Sequence, residues 1–419
     1  MEAKPRGWYT GVVHLNDLPD KVWLKLEDKI SNNIILSLRK EAKDFAELAE
    51  EIKEPIHYAK QYKYVLRNAY SLRNFIVGKC ISLKLLRKIS IFLTSKGHKE
   101  FELVNIEKNI KYIKAGKNGK PIFNPKFPIG LCSAQGARFI AAILCDGCID
   151  INQTSSYRNE SLELRNSVIE STKSIFGDFK ADISKGQVRL PTIISKILIY
   201  CIGLPYGKKT VNNVSAPDFI LKSRDGVIIK HFLRQAFDDE GSVTGNTNRA
   251  KHITLELSVD VSKASERKVP KLLLDIMKML NKFEIEFHGP YFSREHVCKD
   301  GRKLNSWSIY IGNIKNLHNF SERVGFSSIS KSRKLENSIM QIERNLEMKQ
   351  RQKEDMIMKI DELQKRYGII TSRHLNKEYG IKLSTASSWL TRFENKGILK
   401  KIHSSWKPKE TRRIFIFKK

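Results

Sequence analysis

Ala137-Arg-Phe-Ile-Ala-Ala-Ile-Leu-Cys-Asp-Gly147 and Lys230-His-Phe-Leu-Arg-Gln-Ala-Phe-Asp-Asp-Glu-Gly241 share one build: an apolar helical run, then an acid, then a glycine. Small side chains sit within both runs, at Ala141, Ala142 and Ala236, and allow two helices to approach closely. A glycine just past a helix is expected to take the left-handed conformation that caps it. The acids run against local preference. A carboxylate at the negative end of a helix macrodipole costs about 0.3–1 kcal/mol, and the second run stacks Asp238, Asp239 and Glu240 there. If the two helices pair, Asp146 and Glu240 converge, and like charges held close need a cation or a raised pKa. Mg²⁺, or Mn²⁺ in its place, suits such a pair because it takes few carboxylates along with water and phosphate oxygens. Metal ions between carboxylates and phosphates are the machinery of phosphodiester hydrolysis. One copy alone would read as a plain helix end. Two copies read as a paired functional feature.

The segments after each run repeat as well. In the second half, Ile253, Leu255, Leu257 and Val259 alternate with Thr254, Glu256 and Ser258. That predicts a strand with one buried face. A helix over Leu272–Lys282 follows, and then a strand over Ser306–Gly312. In the first half a helix is expected over 163–176, a short strand over Gln187–Leu190 and a closing helix over Ile193–Ile202. Two αββαββα units result, over 130–225 and 226–332.

Outward from this centre, 333–366 reads as a charged, solvated linker helix, and 367–419 as a winged helix-turn-helix. Its first helix is expected over Thr371–Tyr379, its turn at Gly380, and its recognition helix over Ser384–Lys396 with Ser384 or Thr385 as cap. Ile398–Ile402 and Arg412–Phe417 form the wing strands. Residues 1–125 read as a mostly helical region. Helices over 44–52 and 81–92 flank a basic segment, 60–73, in an arrangement that fits either a degenerate helix-turn-helix or an ordinary bundle. Lys108–Lys120 reads as a connector. The fold class is thus α+β.

Net charge is +31 over 419 residues, with 41% hydrophobic residues. A globular chain with such an excess repels itself, and a polyanion would relieve it through counterion release. Residues 351–419 carry 18 Lys/Arg against 7 Asp/Glu, as a DNA-contacting winged helix would. No apolar run reaches a membrane span, and Met1–Gly7 lacks a signal core. An intracellular, cytoplasmic protein with reduced cysteines is expected. Cys145 and Cys148 form a CxxC, but no second pair completes a zinc site.

The two runs resemble the dodecapeptide motifs of LAGLIDADG homing endonucleases, and the resemblance covers roughly 130–345. Gly203–Lys209, Ala216–Ile220, Phe320–Phe326 and Lys331–Leu335 also look like segments of that family. It implies a monomer with two pseudo-symmetric halves, the motif helices forming the central interface and each half laying a four-stranded sheet on double-stranded DNA. Asp146 and Glu240 would then be catalytic and bind divalent metal, with Gly147 and Gly241 beside them. Lys185 and Lys303 hold places for assisting bases. Arg189, Arg249, Lys251 and Arg302 in the sheets, and Ser384, Ser387, Ser388, Arg392 and Arg412 in the winged helix, are the candidates for DNA contact. The third motif position departs from glycine: Ala141 keeps close packing, while Gln235 puts a bulky amide where the helices should touch. Without a terminal nucleophile or His-Asn ending, protein splicing is not expected.

Three functions follow from this resemblance: a Mg²⁺-dependent site-specific endonuclease, a non-cleaving DNA-binding regulator like the WhiA transcription factors, and a maturase that binds intron RNA. Retention of both acids favours the first; the added winged helix favours the second.

Overall fold

In this computed structural model the chain is described at residues 4–42, 47, 72, 74–244, 251–262, 268–407 and 410–417. The helix expected over 44–52 and the basic segment 60–73 lie almost wholly outside the described residues, and Arg249 lies outside them entirely. The protein is mixed α+β with small antiparallel sheets. It divides into two compact units, Met1–Asn337 and Ser338–Lys419.

At the centre of the first unit the motif helices, Ala134–Leu144 and Gly226–Glu240, pack on each other in the most extensive helix–helix contact described. Ser133 Oγ accepts from the Gly136 amide at 3.1 Å and starts the first helix. Asp225 Oδ1 accepts from the Val227 amide at 2.8 Å and starts the second. Every residue from Phe139 to Leu144 is buried. A helix apolar all round belongs inside a core, and here the sheets and neighbouring helices surround it.

Each motif helix leads straight into a strand. The first sheet joins Gly147–Ile149, Ser155–Arg158, Gln187–Arg189 and Asp182–Ser184, in that spatial order. The second joins Gly241–Thr244, His252–Asp260, Lys303–Ile311 and His288–Val297. Numbered along the chain, both sheets run 1-2-4-3, with a helix between the second and third strands: Leu162–Phe176 in one, Lys271–Lys282 in the other. After the fourth strand comes Thr192–Lys196, widening into a π-type turn over Ile197–Ile202, and in the other half Ile314–Arg323. The alternation in the second sheet holds at three of the four apolar positions, Leu257 being only half-buried. Ile253, Leu255 and Val259 are buried, and Leu255 pairs with Ile309.

The N-terminal region departs from a mostly helical reading. Trp23–Leu26, Ile81–Ser82, Ile110–Lys114 and Ile122–Phe123 build a four-stranded antiparallel sheet. The expected connector over 108–120 therefore contains a strand. Ile110 and Ile113 are buried, which lysine abundance concealed. The segment is also stitched into the rest of the unit, because Val12–Val13 pairs with Ile129–Gly130.

The charged helix is longer than expected, Ile329–Tyr367. Its far end is no solvated spacer: Met356, Ile360 and Leu363 are buried with Leu375, Leu390 and Phe415 in one core. Ser372–Tyr379 is capped by Thr371, whose Oγ1 accepts from the His374 amide at 3.2 Å. Gly380 turns the chain at φ 67°, a left-handed value suited to glycine. The helix expected over Ser384–Lys396 spans Leu383–Asn395, with Lys382 rather than Ser384 or Thr385 at its N-cap. Leu399–Lys407 and Glu410–Phe417 form an antiparallel pair, longer strands than expected.

Candidate acidic centre and polar sheet faces

The acids collect where the two motif helices end. Asp238 is buried, and its carboxylate accepts from the Ser327 amide at 3.1 and 3.0 Å and the Ser328 amide at 3.1 Å. It thus ties the second motif helix to the start of helix Ile329–Tyr367, a structural task. Asp239 is half-buried. Its Oδ1 accepts from the Tyr157 hydroxyl at 2.7 Å and the Gln235 Nε2 at 2.9 Å, and its Oδ2 has no partner. Asp146 Oδ2 accepts from Asn159 Nδ2 at 2.7 Å. Glu240 is the last residue of the second helix.

These carboxyls are electrostatically uncomfortable, as the sequence implied. Burial holds Asp239 well above the ordinary carboxylate range, and the charge of Asp146 pushes the same way. Burial also raises Asp146, against a lowering by Asn159, Lys209 and Lys331. Glu240 is raised by burial, lowered by Lys209 and raised again by Asp146. The mutual action of Asp146, Asp239 and Glu240 places them in one electrostatic cluster. The Tyr157 phenol is raised too, chiefly by burial, and stays a donor.

Cations meet this cluster from three directions. Lys331 Nζ bonds the carbonyls of Phe237 at 3.2 Å, Gly241 at 2.6 Å and Asp238. Lys185 sits in the Lys185-Gly186 turn, at φ 43° and 77°. That two-residue primed hairpin sets Lys185 on the wall of a cleft of about 440 Å³ shared with Asp146, Asp239 and Lys331. Glu240 opens into a separate cleft of about 200 Å³ with Lys209 and Glu256.

Lys303 is not brought to Glu240. Gly241 pairs with Leu255 and Leu255 with Ile309, while Lys303 lies six residues further along that strand. At the usual strand rise this is about 20 Å. In this half Lys209 stands by the acid instead.

The two glycines also work differently from a left-handed cap. Gly241 is extended at φ −87° and ψ 154°, and Gly147 has no positive φ. What requires glycine is crowding. A Cβ at Gly147 would lie 2.6 Å from the Ala142 carbonyl oxygen, and one at Gly241 2.5 Å from that of Phe237. The Gly241 carbonyl holds Lys331, and Gly147 pairs with Tyr157 in the sheet.

Gln235, awkward in the sequence, is fully buried in the helix seam. Its Nε2 bonds both Asp239 and, at 3.3 Å, the Tyr157 hydroxyl, so the large amide works as a bridge. Its Oε1 is buried without a partner. Cys145 is buried, with its thiol raised by burial, and Cys148 contacts Ser156 Oγ at 3.4 Å. Among the described residues no three His, Cys, Asp or Glu side chains form a group that could hold a metal ion.

Away from the core, each sheet has a polar face. On the first, Arg158 and Arg189 are exposed, opposite the face of buried Tyr157 and Val188. On the second, Thr254, Ser258, Ser306, Ser308 and Tyr310 share a face by register, of which Ser306 and Ser308 are buried. His252 and Tyr310 meet edge to face at 5.2 Å. Lys251 leads into this strand. Arg302 is largely committed: it bonds Asp300 at 2.9 Å and Thr210 at 2.9 Å, beside Asp260.

In the winged helix, Ser384, Ser388 and Arg392 are exposed at successive helical turns, and Arg392 lies over the Trp389 ring at 5.7 Å. Ser387 is half-buried. Arg412 pairs with Ser405 in the wing. Sequence reasoning missed Tyr157, Asn159, Lys209 and Lys331. Only Lys331 and Lys209 lay in segments singled out, and nothing local marks either as a partner of the acids.

No family model matches the chain, and no curated protein sequence matches it. No described helix is long and apolar enough to cross a membrane.

Proposed function

We propose that the chain is a site-specific, divalent-metal-dependent DNA endonuclease of the LAGLIDADG homing type, acting as a monomer with two pseudo-symmetric halves. One observation carries the reading: two packed helices end side by side, and Asp146, Asp239 and Glu240 repel one another there. Carboxyls forced together call for a cation. Asp146, Asp239 and Glu240 are hard oxygen donors of the kind Mg²⁺ or Mn²⁺ takes a few of, with water and phosphate oxygens completing the shell.

In the mechanism Asp146 and Glu240 would hold the divalent metal; Asp146 lines one cleft and Glu240 the other. A bound ion supplies a water of lowered pKa and neutralises charge on the phosphate. Lys185 in one cleft and Lys209 in the other stand where a cation stabilises developing phosphate charge. Tyr157 and Gln235 fix Asp239 and hold the seam. Arg158, Arg189 and the polar strands of the second sheet give backbone contact and base reading, and Ser384, Ser388 and Arg392 extend the contact.

A second reading, a DNA-binding regulator that does not cut, draws on Lys331. Its ammonium already neutralises the acidic end, and the centre can persist without metal. Selection from a random duplex library with and without Mg²⁺, with RNA as competitor, separates the two. Cleaved products that depend on Mg²⁺ support the nuclease; specific binding without cleavage at any divalent concentration supports the regulator.

A further inference from the structure

We infer that Lys331 is a tethered cation: it holds the acidic end of the second motif helix when no divalent ion is bound, and a divalent ion must compete with it. The inference rests on reading Asp146 and Glu240 as a cation site, and not on cleavage.

The geometry is specific. Lys331 lies in the first turn of helix Ile329–Tyr367, yet its ammonium reaches back to three carbonyls at the end of the second motif helix. Phe237 and Asp238, at the end of the helix, and Gly241, the first residue of the following strand, supply these oxygens; the Phe237 carbonyl also accepts from the Gly241 amide. An ammonium has three protons, and each has one carbonyl, so no donor remains for a carboxylate. The charge nonetheless acts on all four acids: Asp238, Asp239, Asp146 and Glu240 each favour the charged form of Lys331, against its burial. Lys331 thereby does two things a metal ion would do: it saturates backbone oxygens beside the acids and offsets their repulsion. The anchoring is two-sided, because Asp238 bonds the amides of Ser327 and Ser328 just before the same helix. The start of that helix and the acidic end are locked by one carboxylate and one ammonium, each reaching across to the other element's backbone. Adding a dication to the same small volume brings like charge against Lys331 in a partly desolvated place, so ion and ammonium weaken each other.

Lys331 is on this account a positioning residue. The expectation is read as thermal stability of the DNA-free full chain, with Mn²⁺ as the probe. Lys331→Met keeps length and removes charge; it should lower Tm by at least about 3 °C. Mn²⁺ should restore most of that loss in the variant and shift the wild type far less. Asp146→Asn added to Lys331→Met should abolish the Mn²⁺ rescue. Should Lys331→Met fold only when Mn²⁺ is present during refolding, the inference is supported in the same way. It is overturned if the variant melts as the wild type does, if Mn²⁺ gives no rescue, if the variant fails to fold with and without Mn²⁺, or if the wild type gains as much as the variant. Mn²⁺ rescue in a protein that cleaves no DNA would leave this inference standing and remove the nuclease reading alone.

Discussion

The Tyr157 hydroxyl donates to Asp239 Oδ1 at 2.7 Å, and in doing so joins a strand of the first sheet to the motif helix of the second half. Tyr157 is buried beneath the first motif helix with Ala142 and Val168. Gln235 completes the triangle from within the seam. One polar contact between the halves is therefore a hydrogen-bonded cluster at the acids.

Tyr157→Phe should destabilise the protein by about 1–3 kcal/mol, the range for leaving buried polar partners unsatisfied. Asp239→Asn keeps an acceptor for Tyr157 and should be milder. A double-mutant cycle between the two positions, read by chemical denaturation, should give a coupling above about 0.5 kcal/mol. Additive effects would show that the contact contributes nothing to the seam.

Gly147→Ala and Gly241→Ala should each cost about 1–3 kcal/mol, as overpacking does, because the new Cβ meets a backbone carbonyl. Asn discriminates between causes. A left-handed cap tolerates asparagine, whereas crowding rejects it as firmly as alanine. Equal loss in Ala and Asn variants, measured by urea denaturation, is the expected result.

His231 is half-buried, and its pKa is lowered from 6.5 by burial and by the charges of Arg138, Arg234 and Lys230. The folded chain therefore binds this proton more weakly than the unfolded chain, and stability rises with pH through this window. The contribution is present above pH 6.5 and is lost as pH falls through the lowered value. His231→Gln should match the wild type at pH 8 and exceed it in Tm near pH 5. A constant difference at both pH values would contradict this.

Arg158→Ala and Arg189→Ala should weaken duplex binding and lower the slope of log K against log salt by about 1 each if each meets a phosphate. A similar change at Arg302, whose guanidinium bonds Asp300 and Thr210, should alter the slope less. Equal slopes in all three variants would remove the first sheet face from the interface.

The motif helices, the strand–helix modules and the winged helix were legible because each writes a local signature: small residues beside an acid, alternation, a cap and a turn glycine. What the sequence hid depends on residues brought together from afar. Lys331 stands 90 positions from the Gly241 carbonyl it bonds. Tyr157 lies in a strand of four residues, too short for alternation to speak. The motif glycines were found for a reason that proved wrong, since composition cannot separate a left-handed turn from a crowded one. Lys303 was named from the family resemblance, but the second hairpin is much longer than the first and carries the residue away. Gln235, which looked like an obstacle, became a bridge because a hydroxyl and a carboxyl faced it.

The most direct test of the nuclease reading is single-turnover cleavage of a selected duplex site in Mg²⁺, with both strands followed for the wild type, Asp146→Asn and Glu240→Gln. Both strands should be cut only by the wild type, each variant should lose at least about 100-fold in rate, and all three should bind the site with similar affinity. Cleavage that survives both substitutions, or a wild type that binds tightly and cuts neither strand, would contradict the account.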